Sequence, residues 1–290
     1  MGPKRLFGLA VITAAILSSG TVIAVVSDAT PSAGVGNDSV RIGIAMLDLD
    51  GKSRKVGQAD ERFAMCSTFK FLAVAAVLQR VDRGQDKLDR FIKYSESDIL
   101  AWAPMTKQHL GEGGMTLEAL CFAAIAYSDN TAGNLLLQIL GGPAGLTAYA
   151  RSLGDDITRL DRTEPELNNV ARGDVRDTTS PMAMLHDMQK ILLGDALSVS
   201  MREKLESWMI QNTTGDAMIR AGVPWDWRVG DKTGQNQIGN SNDIAIIRRP
   251  NGRAVLLCIY VDAPGEPMQQ RAKMIADVTR ELMRTGTLTR

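Results

Sequence analysis

MCSTFKFLAVAAVLQRVD, residues 65–82, sets a hydroxyl at Ser67 and an amine at Lys70 at the head of a mostly apolar run. Residues 68–82 contain no glycine or proline, the composition of a helix buried in a core. Residues three apart share a helix face, so Ser67 and Lys70 can touch. The pair reads either as a nucleophile beside its base or as a solvated lysine near a helix start. One Ser-x-x-Lys in a chain of this length is within the reach of chance.

Working outward, helical spacing recurs at 117–127, 131–140, 181–192 and 201–210, with Gly141-Gly142-Pro143 closing the second. Residues 158–180 are polar, with Pro165, Asn168, Asn169 and Gly173, and read as a long loop. Beyond this block the pattern becomes strand-like, at 40–46 on one side and at 228–232, 243–248 and 254–261 on the other. Asp50-Gly51 and Pro250-Asn251-Gly252 supply turns, and 268–283 carries Ala272, Ile275, Val278 and Leu282 at helical spacing. Strands at both ends with helices between predict an α/β (α+β) fold: one antiparallel sheet flanked by terminal helices, with an inserted all-helical part. The expected division is 38–62 and 211–290 for the α/β part and 63–210 for the helical part, which includes the 158–180 loop.

Lys4 and Arg5 precede an apolar stretch, Leu6–Leu17, followed by Ser18-Ser19-Gly20-Thr21 and the small-residue site Val22-Ile23-Ala24. This reads as a signal peptide over 1–24, cleaved near Ala24, followed by a flexible tail over 25–37; export to a bacterial periplasm or medium follows. An uncleaved anchor is the competing reading, because no charge lies between Arg5 and Asp28, and the SSGT interruption speaks against it. The 33 basic residues equal the 33 acidic ones, so no field points to nucleic acid. Cys66, Cys121 and Cys258 have no metal-site spacing, and the two histidines, His109 and His186, are too few for a zinc site or an easily built Ser-His-Asp triad. A serine enzyme here needs another base. No metal or cofactor is expected.

Three further stretches alter the odds on Ser67: Ser128-Asp129-Asn130 between two predicted helices, Lys232-Thr233-Gly234 at a strand, and Arg162-Thr163-Glu164-Pro165-Glu166-Leu167-Asn168 in the long loop. Singly they read as a helix cap, a strand end and a polar loop. In this order with Ser67-x-x-Lys70, they resemble the motif set of the penicillin-recognising serine enzymes, and Glu164 makes the likeness one to class A β-lactamases. The resemblance covers about residues 38–285. It implies a hydrolase for the amide of small-molecule β-lactams, monomeric, with no nucleic acid and no stable membrane partner.

The resemblance also implies roles. Ser67 is the nucleophile, and Lys70 or Glu164 is the base for acylation. Glu164 activates the deacylating water, which Asn168 helps to hold. Ser128 carries a proton to the leaving nitrogen, and Asn130 contacts Lys70 and the substrate. Lys232 and Thr233 bind the substrate carboxylate, with Gly234 and Gln235 continuing the same strand. The backbone N–H groups of Ser67 and Gln235 form the oxyanion hole if the 232–235 strand runs alongside. Arg162 and Asp177 pair across the loop neck, Glu164-Pro165 matches a cis peptide, and Trp102 is either a wall of the cleft or core.

Departures from the family pattern are informative. Gln235 and Asn236 stand where small residues are usual. Met218, Ser241 and Ala272 occupy the positions that commonly supply a carboxylate-binding arginine, while Arg220 matches a structural one, paired with Asp231. The family's two disulfides have no partners here. A D-alanyl-D-alanine peptidase shares the first three motifs, and a penicillin-binding sensor that stays acylated is a further alternative. Glu164 and Asn168 argue against the peptidase, and the sensor would need a poor deacylation site and usually a membrane-spanning segment.

Overall fold

The computed structural model describes residues 40–47 and 53–285, and the expected signal peptide and tail lie outside these. Five strands form one antiparallel sheet: β1 (Arg41–Leu47), β2 (Ser53–Gly57), β3 (Arg228–Gln235), β4 (Asn240–Arg248) and β5 (Ala254–Asp262). Their order is β2-β1-β5-β4-β3, so the first strands pair with the last, as at Ile44 opposite Ile259. The run 53–57 was not foreseen as a strand.

The helices are α1 (Phe69–Asp82), α2 (Leu117–Ala126), α3 (Asn130–Leu140), α4 (Pro143–Ser152), α5 (Pro181–Met188), α6 (Val199–Ile210) and α7 (Met268–Arg284). Side chains alternate across the central strands. Ile244 and Ile246 join the core around α1, whereas Ala245 and Ile247 join Ile275 and Leu282 of α7 on the other face. With apolar cover on both sides, β5 is apolar from Ala254 to Val261, and β4 becomes so from Ile244 to Ile247, after a buried polar start at Asn240–Asp243. α7 is the C-terminal flanking helix; the expectation of an N-terminal one falls on residues outside those described.

α4 was not foreseen. Gly141-Gly142-Pro143 is both a stop and a start. Gly141 takes φ +89° to end α3, and Pro143 begins α4, where a missing N–H leaves no bond unmade. The helix expected to reach residue 192 is α-helical only to Met188 and continues as a π turn through Leu193.

The described residues form one compact unit, and α5 packs on β1 and β5 of the sheet. We propose the division at 63 and 210 from element order alone. Among the described residues no helix is long and apolar enough to cross a membrane.

Candidate active site

Ser67 lies in a 3-10 turn, Cys66–Thr68, directly before α1. Cys66 takes φ +46°, a strained setting for a side chain that is not glycine, and Thr68 Oγ1 donates back to Met65 O (2.8 Å). The turn is held from two sides. Asn242 of β4 donates to Ala64 O (2.8 Å) and Met65 O (3.1 Å), and Met65 N donates to Asp177 O (2.9 Å) at the loop neck.

α1 presents Lys70 to the same point. Lys70 Nζ donates to Ser67 Oγ (2.8 Å), Ser128 O (2.9 Å) and Asn130 Oδ1 (2.6 Å), and pairs with Glu164 Oε1 at 3.0 Å. Lys70 and Glu164 have fully buried side chains, and Ser67 Oγ donates to Glu164 Oε1 at 3.3 Å. Gly133 of α3 makes room for the amine: a Cβ there would lie 2.8 Å from Lys70 Cε. Asp129 caps α3 by accepting from Ala132 N (2.9 Å), which fixes the neighbouring Ser128, at φ +55°, and Asn130.

The long loop delivers Glu164. Its neck is closed by Arg162 Nε on Asp177 Oδ2 (2.5 Å), while Asp177 Oδ1 accepts from Asp161 N (2.7 Å) and Arg162 N (2.9 Å). The Glu164-Pro165 peptide is cis. Asn168 Nδ2 donates to Glu164 Oε2 (2.6 Å), and Asn168 Oδ1 is a buried acceptor with no partner among the described residues.

Asn134 escaped the sequence reading. Its amide accepts from Glu164 N and donates to Glu164 O, both at 2.9 Å, so α3 grips the backbone of the loop. The available signal was its spacing four residues beyond Asn130, which puts both on one helix face.

β3 forms the opposite wall. Lys232 Nζ donates to Ser128 Oγ (3.0 Å) and Thr233 O (2.7 Å). Burial, then repulsion from Lys70, pulls its amine down to about 7, although Asp231, Asp243 and Glu164 oppose the shift. Gly234 is where the strand passes the turn: a Cβ there would lie 2.6 Å from Met65 O and 3.0 Å from Ser67 N. Thr233 Oγ1 lies 2.5 Å from Thr214 Oγ1, which donates to Asn212 Oδ1 (2.8 Å). No local motif marks Thr214.

The cleft edge differs from a small-residue edge in one specific way. Asn236 Nδ2 donates to Asn168 O (3.0 Å), and its Oδ1 accepts from Ile238, Gly239 and Asn240 N–H groups. The unusual residue therefore knits the β3–β4 turn and ties it to the loop that carries Glu164. Trp102 is 55% exposed and donates Nε1–H to Tyr127 O (3.1 Å), so it is not core. Arg220 pairs with fully buried Asp231, as expected, and also bonds the carbonyls of Met209 and Ile210. Met218, Ser241 and Ala272 are all buried, and so are the three free cysteines, whose thiols burial pushes up.

The architecture and the motifs both have relatives. Residues 32–285 match the model of the "Beta-lactamase enzyme family". A β-lactamase of Amycolatopsis lactamdurans is 48% identical over 241 residues, 83% of this chain and 78% of its own length. The β-lactamase OXY-1 of Klebsiella oxytoca is 44% identical over 236 residues, 81% of each chain. Among solved structures, an ancestral (GNCA) class A β-lactamase superposes with a TM-score of 0.83 at 50% identity, covering 86% of this chain and 95% of its own. PenP of Rhodopseudomonas palustris, described as a putative class A β-lactamase, gives 0.81 at 50% identity over 83% and 92%. With so much of its length shared at this identity, the chain belongs to the β-lactamase enzyme family, in class A.

Proposed function

We propose that this enzyme hydrolyses the cyclic amide of penicillin- and cephalosporin-type compounds through an ester on Ser67, cleaved by a water that Glu164 activates. One observation carries the reading: a serine hydroxyl bonds both a buried amine and a buried carboxylate, and the Asn168 amide holds that carboxylate's other oxygen.

Ser67 Oγ attacks the carbonyl carbon and its proton must leave. Two protonation states of one geometry supply the base. With Lys70 charged, its protons satisfy Ser128 O, Asn130 Oδ1 and Ser67 Oγ, and the Ser67 proton faces Glu164. With one proton moved along the 3.0 Å contact to Glu164, the Lys70 lone pair faces Ser67 instead. The oxyanion is received by the N–H groups of Ser67 and Gln235, supported by the close passage of β3 at Gly234.

The C–N bond then breaks, and Ser128 gives its proton to the nitrogen. Lys232 behind Ser128, with its amine near 7, can replace that proton at neutral pH. In the second half, water donates one hydrogen bond to Glu164 and the other to the unpartnered Asn168 Oδ1. Its proton passes to Glu164, hydroxide adds to the ester, and Ser67 regains a proton as the acid departs. The step needs no metal or cofactor.

Lys232 and Thr233 receive the substrate carboxylate, Asn130 its amide, and Trp102 stands at the rim. We also propose export, on the basic and then apolar N-terminus. A periplasmic product whose mass begins at residue 1 rather than after about Ala24 would sink cleavage there.

Glu164→Gln is the deciding experiment. Intact-mass measurement after mixing with a penicillin should show one stoichiometric adduct, lost in the double variant Ser67→Ala/Glu164→Gln, with steady turnover down about 100-fold or more. Undiminished turnover by Glu164→Gln would remove the glutamate from deacylation.

A further inference from the structure

Arg271 of α7 is 2% exposed, and among the described residues no carboxylate bonds its guanidinium. Its N–H groups go to neutral oxygens: Ser241 Oγ (3.1 Å), Glu266 O (3.2 Å) and Asn236 O (2.7 Å). Asp262, the one carboxylate that favours its charge, is itself bonded to Arg41 (3.1 Å) and Arg172 (2.8 Å). A cation withdrawn from water without a bonded counter-charge is costly, so its position matters. That position is directly behind the cleft edge, since Ser241 on β4 stands opposite Gln235 on β3.

Hydrogen-bond accounting gives the link a direction. The Gln235 amide lies 3.3 Å from Ser241 Oγ through Nε2. Arginine cannot accept, so Ser241 Oγ must accept from Arg271 Nε, and its own proton needs a destination. Ser241 is fully buried, and with Nε2 of Gln235 toward it, both its neighbours are donors. The two ends of an amide have the same shape. Turned over, Gln235 accepts the Ser241 proton with Oε1 and frees its NH2 group.

We propose that Arg271 is a positioning residue for anionic substrates, acting through a relay from Arg271 Nε–H to Ser241 Oγ–H to Gln235 Oε1 that aims the Gln235 NH2 at the substrate carboxylate. Thr233 and Gln235, two apart on β3, project to one face, so a single carboxylate can meet both. The guanidinium adds its field from behind without touching the substrate. This rests on the hydrolase reading above and assigns its preference for an anionic group to residues outside the four motifs.

The test compares a penicillin with its methyl ester, using the wild type, Arg271→Gln, Arg271→Lys and Ser241→Ala. The relay predicts that Arg271→Gln and Ser241→Ala raise KM for the penicillin about tenfold, with kcat within about twofold and the ester's parameters unmoved. Arg271→Lys, which keeps the charge, should fall between. Equal losses on both substrates would mean that Arg271 merely clamps the strand end, and unchanged KM for the penicillin would likewise overturn the relay. If Arg271→Gln does not fold, Ser241→Ala carries the same comparison alone. A wild type that hydrolyses neither compound would instead overturn the hydrolase reading, and the relay with it.

Discussion

Lys232 separates what a residue's type reveals from what its surroundings do to it. The motif marks it as a cation, but only the fold shows that it is fully buried, near a second lysine, and held near 7. The charged form is lost as pH rises through that value, and with it the attraction for a carboxylate. We therefore expect kcat/KM for a penicillin to fall on a basic limb beginning near pH 7 in the free enzyme. Lys232→Arg, which does not deprotonate, should lose activity overall but keep a flat profile across pH 7–9. A basic limb equally steep in both proteins would assign it to another group. Ser67, Lys70, Ser128, Glu164 and Lys232 were legible because each lies in a short string of fixed spacing. Asn134, Thr214 and Arg271 were not, because their roles lie in contacts to residues 30, 19 and 30 positions away.

At the scale of elements, hydrophobic spacing located six of the seven α-helices among the described residues, and it failed where glycine carries two meanings. Gly141 ends a helix by its backbone freedom, and the next helix starts at once. Gly133 is different. It sits inside α3, where a glycine costs about 1 kcal/mol relative to alanine, and no periodicity explains it. The crossing of α3 with α1 does: the missing Cβ is the space that Lys70 Cε fills. Gly133→Ala should therefore leave thermal stability unchanged or slightly raised, as the helix gains, while displacing the amine. We expect kcat to fall about tenfold or more, because small misplacement of a catalytic group is expensive. Calorimetry and steady-state kinetics on one preparation check this, and a normal kcat would show that α3 or Lys70 yields without consequence.

Across the whole molecule, the fold places several acids where water cannot reach them, and that sets how stability responds to pH. Asp187 on α5 and Asp155, just after α4, are both buried, and neither Oδ2 has a hydrogen-bond partner among the described residues. One shared proton makes that bond. Burial, then the charge of Asp155, pushes the Asp187 carboxyl up to about 9. Burial likewise raises Asp231 on β3 and Asp243 on β4. A carboxyl raised on folding contributes stability that is full below its unfolded value near 4 and is lost as pH rises through the folded value. For Asp187 that window runs from about 4 to about 9. Lys232, lowered on folding, acts in the opposite sense, but only above about 7. The surface acids Asp161 and Asp174, held low by Arg159 and Arg176, lose their contribution only as pH falls below about 4. The melting temperature should thus be highest near pH 5 and decline toward pH 8, an acid-side optimum in a chain whose net charge is zero. Asp187→Asn keeps the shape, supplies a donor to Asp155 at every pH, and removes the titration. It should match the wild type near pH 4 and exceed it at pH 8 by about 1–3 kcal/mol, or several degrees at 2–4 °C per kcal/mol. Parallel melting curves of the two proteins from pH 4 to 9 would show that the pair does not hold its proton.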